Sequence, residues 1–164
     1  MNELQICWQH PLVPVNDALI DEIESTIRRK LPADARGFLK QFQGGYPDWV
    51  CIRFVHAGRK DCFAIGQFVA LIPGGEGYLL DDVETYKGRL PPGLLPIAIE
   101  AGGSLFCLDY DVVPPRIVYW EHELEGLEDA VTPLASSFTA FIEMLEPYDE
   151  EKIRAWIAAP YTNS

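Results

Sequence analysis

The sequence predicts an α+β fold: one domain with a mainly antiparallel sheet and flanking helices near the N- and C-termini. Long helical periodicity, with apolar residues three and four positions apart, is concentrated in residues 16–42 and again from 134 onward. Between them lie short β-rich runs separated by turn residues. The connection between the hairpins is too irregular for repeated βαβ units, so a parallel sheet is not expected.

Residues 4–15 read as an extended lead-in, because Pro11 and Pro14 argue against helix. Asn16 can cap a helix starting at Asp17, with Leu19, Ile20, Ile23, Ile27 and Leu31 on its apolar face and Arg28-Arg29-Lys30 at its negative end. Pro32 ends that helix and can open a second, whose buried stripe is Ala35, Phe38, Leu39 and Phe42 and whose stop is Gly44-Gly45. Residues 49–56 and 62–69 form a hairpin around Gly58-Arg59-Lys60-Asp61. A glycine loop at 73–77 and a short helix from Leu80 to Tyr86 follow. Three strands are expected near 95–100, 104–109 and 116–121, the first two joined at Gly102-Gly103. Leu134, Phe138, Phe141, Ile142 and Leu145 define a helix that Pro147 breaks. A last helix packs Ile153, Trp156 and Ile157 behind Asp149-Glu150-Glu151.

The 164 residues, 48% of them hydrophobic, suffice for one self-supporting core. No apolar run approaches the ~18 residues of a membrane span, and Met1-Asn2-Glu3-Leu4-Gln5 lacks the pattern of a signal peptide. A cytoplasmic protein is expected. Cys7, Cys51, Cys62 and Cys107 are far apart and form no Cys-x-x-Cys pair, so they read as buried reduced thiols. The net charge is −12, split as −3 over residues 1–82 and −9 over 83–164. That balance disfavours direct nucleic-acid binding and favours encounter with a basic protein.

The residue patterns do not assemble an enzyme. His10, His56 and His122 have no metal-ligand spacing, and in a strand Glu121 and Glu123 would face one way and His122 the other. Ser104 lacks the pattern of a nucleophile elbow and reads as a strand start. Gly74, Gly75 and Gly77 are followed by no Lys-Ser/Thr pair, so a phosphate cradle is not expected. Asp81-Asp82, Asp109 with Asp111, and Glu121 with Glu123 are paired acids that would need a cleft to do acid–base work. Tyr110, Tyr119 and Trp120 stand beside acids, which suits either a protein-recognition surface or one face of the core. No cofactor or metal is expected.

Several marks stand in one order: Leu31-Pro32-Ala33-Asp34, Phe38-Leu39, Gln43-Gly44-Gly45, Leu95-Pro96-Ile97-Ala98, Gly102-Gly103, Phe106-Cys107-Leu108-Asp109, Val118-Tyr119-Trp120-Glu121-His122-Glu123 and Ser136-Ser137-Phe138-Thr139-Ala140-Phe141. Together they resemble the SUKH superfamily, which joins bacterial immunity proteins to fungal cell-wall assembly regulators. The similarity runs from about residue 20 to 145, leaving residues 1–15 and 148–164 outside it. The resemblance implies a single non-enzymatic α+β domain that binds and neutralises a cognate toxin, often a nuclease, or else a regulatory interaction module without a toxin. Gln43 stands where many members have Asn before the double glycine, a loss of a favoured left-handed residue. A basic toxin would meet an acidic patch, for which Asp109, Asp111, Glu121 and Glu123 are the expected contacts.

Overall fold

A computed structural model describes residues 6–160. The expectations for Met1–Gln5 lie outside the described residues, as do the last four positions of the tail. Five α-helices flank a curled seven-stranded antiparallel sheet, giving a single α+β domain.

Helix α1 (Asp17–Ile27) begins where Asn16 accepts the Leu19 N–H at 3.0 Å, and ends at Arg28 in the left-handed region. Leu31 is therefore buried beyond the helix rather than on it. Helix α2 (Ala33–Phe42) runs from Pro32 to Gln43. The left-handed residue is Gly44 (φ 68°), while Gln43 is extended. Gln43 thus costs nothing in backbone terms. Its amide accepts the Leu71 N–H and donates to the Val13 carbonyl, both at 2.8 Å, tying the lead-in to the sheet.

The strands β1 (Val50–His56) and β2 (Arg59–Phe68) form the expected hairpin with a tighter turn. Only Ala57 and Gly58 separate them, both at positive φ, which matches the twist of antiparallel strands. Helix α3 (Leu79–Thr85) leads to β3 (Leu94–Glu100), β4 (Leu105–Asp109) and β5 (Arg116–Trp120). Two strands escaped the sequence pattern: β6 (Val131–Ala135) and β7 (Glu146–Pro147), on either side of helix α4 (Phe138–Met144). Leu134 accordingly belongs to β6, not to a helix. Helix α5 (Glu150–Ala158) closes the described chain, capped by Asp149.

The sheet order is β6-β5-β4-β3-β2-β1-β7, a meander whose last strand returns to the free side of β1. Alternation along the strands splits the core in two. Phe106, Leu108, Ile117 and Tyr119 face α1, α2 and α4 within the larger cluster. Leu105, Cys107, Val118 and Trp120 face the other way, under Tyr86, Leu90 and Leu124. Tyr119 and Trp120 are 2% and 1% exposed, so both are core residues rather than recognition anchors. Among the cysteines, Cys51 and Cys107 are buried as expected, whereas Cys7 is exposed and Cys62 half-buried.

Candidate functional site

The sheet is stretched between two polar ends of β5. At one end Asp109 pairs in register with Arg116, whose Nε donates to its carboxylate at 3.0 Å. Asp109 is only 6% exposed, and its other oxygen accepts the Asp111 N–H at 3.0 Å. The two acids do not share a strand face, because the strand stops at Asp109 and Asp111 sits in the following turn. Asp111 is exposed, with its carboxylate laid over Gly93, where a Cβ would collide with it.

At the other end β5 stops at Trp120, and His122–Leu124 forms a 3-10 turn instead of continuing as strand. Glu121 points in toward the larger core cluster and meets His56, the last residue of β1. Its Oε2 lies 2.6 Å from His56 Nε2, and His56 Nδ1 lies 2.6 Å from Thr132 Oγ1. An ionised carboxylate only accepts, so Nε2 is assigned a proton, and Nδ1 pairs with the Thr132 hydroxyl. His56 is buried against Tyr119 at a ring separation of 4.9 Å. These contacts clasp the end of β1 to β5 and β6, strands that do not pair with it. Ser104 does comparable work nearby: its hydroxyl lies 3.0 Å from His122 Nδ1 and accepts the His122 N–H at 3.3 Å. That arrangement fastens the start of β4 to the 3-10 turn, and no acid is hydrogen-bonded to His122 among the described residues, as a triad would require.

The four acids expected to form one patch therefore form two pairs, roughly 15 Å apart by the rise along β5. In each pair one acid is turned inward (Asp109, Glu121) and one is exposed (Asp111, Glu123). What the sequence reading missed is larger than either pair. Residues 117–151 hold ten acids and no lysine or arginine, which a count of positive side chains along the chain would have found. Around the second 3-10 turn (Glu128–Ala130), Glu123, Glu128 and Asp129 are exposed and have no ion-pair partner among the described residues. Leu127 stands between them, 62% exposed.

A concavity of 450 Å³ lies between Ile27, Tyr86, Leu90 and Pro92. Another of 210 Å³ is lined by Glu76 and Asp82 together with Gln67 and Ala98, below the ~300–1,000 Å³ usual for small-molecule sites. Burial, and then the charge of Asp81, push the Asp82 carboxyl above its ordinary range. Burial first, and then the neighbouring Glu76 carboxylate, push the Tyr46 phenol above its ordinary range. No group of three or more His, Cys, Asp or Glu among the described residues is placed to hold a metal. No described helix is long and apolar enough to cross a membrane.

The SPbeta prophage-derived uncharacterized protein YokK of Bacillus subtilis (strain 168) is 29% identical over 162 residues, covering 88% of this chain and 82% of its own. Residues 14–144 match the family described as SMI1 / KNR4 (SUKH-1), from just before α1 to the end of α4. Helix α5 falls outside that match. The chain belongs to the SMI1 / KNR4 family (SUKH-1), and so to the SUKH immunity and regulatory modules that act by protein interaction.

Proposed function

We propose that the chain is an immunity protein, acting in the cytoplasm, that binds and neutralises a cognate polymorphic toxin without catalysis of its own. The observation that carries this reading is the cation-free run of residues 117–151, whose exposed acids include Glu123, Glu128 and Asp129. A nuclease must hold phosphate with lysine and arginine, and an acidic inhibitor competes for that same basic surface. The prophage origin of the relative in Bacillus subtilis fits a gene carried on mobile DNA. In this reading Asp111 and Glu123 make direct contacts, while Asp109 and Glu121 hold the turns that present them.

The test is rescue: the chain is co-expressed with the product of the adjacent large gene, and survival is scored. Survival with the chain, and death without it, is the expected result. Death in both conditions points to the regulatory alternative, a module of the cell-wall assembly regulator type without a toxin.

A further inference from the structure

Trp49 and Tyr148 are the two exposed aromatic side chains among the described residues, at 70% and 45% exposure, and they lie against each other. Their ring centroids are 5.7 Å apart, and the Tyr148 N–H donates to the Trp49 carbonyl at 2.8 Å. Trp49 holds φ at 48°, a region that bulky residues rarely occupy. A large ring is thus held out to solvent by a backbone conformation that does not favour it. Exposed acids crowd the pair on both chain segments: Asp48 beside Trp49, and Asp149, Glu150 and Glu151 after Tyr148. The nearest cations in sequence are already engaged, Arg53 and Lys152 with Glu146 and Arg154 with Glu150.

From this juxtaposition we infer that the Trp49–Tyr148 pair is the anchor point for a basic, arginine-bearing segment of a partner protein. An arginine plane stacks on an aromatic face while its charge is matched by the surrounding carboxylates. The chain makes the same contact internally, with Arg53 5.4 Å and Lys60 5.5 Å from the centre of the Trp156 ring. Strand addition is a poor alternative here. The edge strand β7 is two residues long and one of them is Pro147, which has no N–H to offer. A second copy of the chain is disfavoured too, since each carries −12 and would bring acids to acids. The inference deepens the partner-binding reading and rests on it, but it does not need the partner to be a toxin.

The experiment uses the full chain, ¹⁵N-labelled, with its Trp49 indole resonance identified by loss in Trp49→Phe. The probe is a short capped peptide alternating arginine and glycine, with a glutamate-for-arginine peptide as control. The expected result is a saturable shift of the Trp49 indole with the arginine peptide alone, suppressed by salt. Tyr148→Ala should weaken that binding by about tenfold. A Trp49 resonance that stays still while Trp8, Trp120 or Trp156 moves overturns the proposal. So does a shift that follows protein concentration without peptide, which would mean self-association. A chain that rescues from the toxin but shows no Trp49 shift keeps the toxin and discards this surface. A chain that shows the shift and does not rescue keeps the surface and discards the toxin.

Discussion

Two stretches of the same cation-free run, residues 121–129 and 143–151, are built to one plan and end with different chemistry. In each, one glutamate turns inward to β1: Glu121 to His56 at its end, and Glu146 to Arg53 at its middle. In each, one more is paired at the surface: Glu125 with Arg89, and Glu150 with Arg154. The remaining acids are exposed, and the two inward contacts stand about 10 Å apart along β1. They differ in what stands among the charges. The first stretch surrounds one aliphatic side chain, Leu127, and the second adjoins the Trp49–Tyr148 pair. Charge alone governs how fast a partner arrives, whereas a buried aromatic anchor governs how long it stays. In the proposed partner-binding reading acidity has two jobs, while the inward members of each stretch serve the fold.

The largest effects should come from breaking the inward contacts. His56→Ala removes a buried ring from among Phe54, Phe63 and Tyr119 and leaves Glu121 and Thr132 without partners. A loss of about 3 kcal/mol in denaturant unfolding is expected, from the cavity and the stranded polar groups together. Arg53→Ala should cost less, about 1–2 kcal/mol, because both its side chain and Glu146 keep some solvent contact and Lys152 remains 3.3 Å from the carboxylate. If Arg53→Ala proves the costlier change, the β7 end rather than the His56 clasp holds the curled sheet together.

Asp82 sharpens the rule that inward acids here come with partners. It is half-buried in α3 with no ion pair among the described residues, and its folded pKa is raised above 3.8, by desolvation first and by Asp81 second. A raised carboxylate favours the folded state below the unfolded pKa, and that advantage is lost as pH rises through the folded value. Asp82→Asn should therefore stabilise the chain near neutral pH, by no more than about 1 kcal/mol, with the gain vanishing below about pH 4. Asp17 has the opposite sign: its hydrogen bond to Lys40, and then that residue's charge, lower its pKa, so its contribution is present above 3.8 and lost as pH falls. Thermal melts across that range read both; a neutral-pH melt of Asp82→Asn at or below the wild-type temperature would contradict the burial argument.

The fold was legible wherever periodicity and local turn chemistry agree. Asn16, Pro32, the β1–β2 hairpin and the β3–β4–β5 meander follow from such local signals. The two missed strands both contain proline, which reads as a breaker in isolation. Pro133 is tolerated because β6 is an edge strand, and Pro147 because β7 needs only two residues paired with β1. The acidic segment was legible as charge but not as geometry. Nothing local says that the chain leaves the strand after Trp120, or that His56, 65 residues earlier, waits for Glu121. Likewise the exposure of Trp49 is invisible in Asp48-Trp49-Val50, since a tryptophan before a strand reads as core until the return of Tyr148 fixes its place.

The smallest effect on stability should come from the outward acids, and it separates the two stretches most cleanly. Glu123, Glu128 and Asp129 make no side-chain hydrogen bond or ion pair among the described residues, so their joint reversal to lysine should move unfolding by no more than about 0.5 kcal/mol. Relief of self-repulsion in a chain of net charge −12 works against any loss. The same reversal should slow association with the adjacent-gene product and flatten its dependence on salt, leaving dissociation nearly unchanged. Trp49→Ala should do the reverse, raising the dissociation rate with little change in the salt dependence of association. Stopped-flow mixing across ionic strength reads both variants in one series. If the two produce the same kinetic signature, the stretches are one surface and the division of labour between steering and anchoring is wrong. If only the triple reversal matters, the aromatic pair is a feature of the β7 edge and not of recognition.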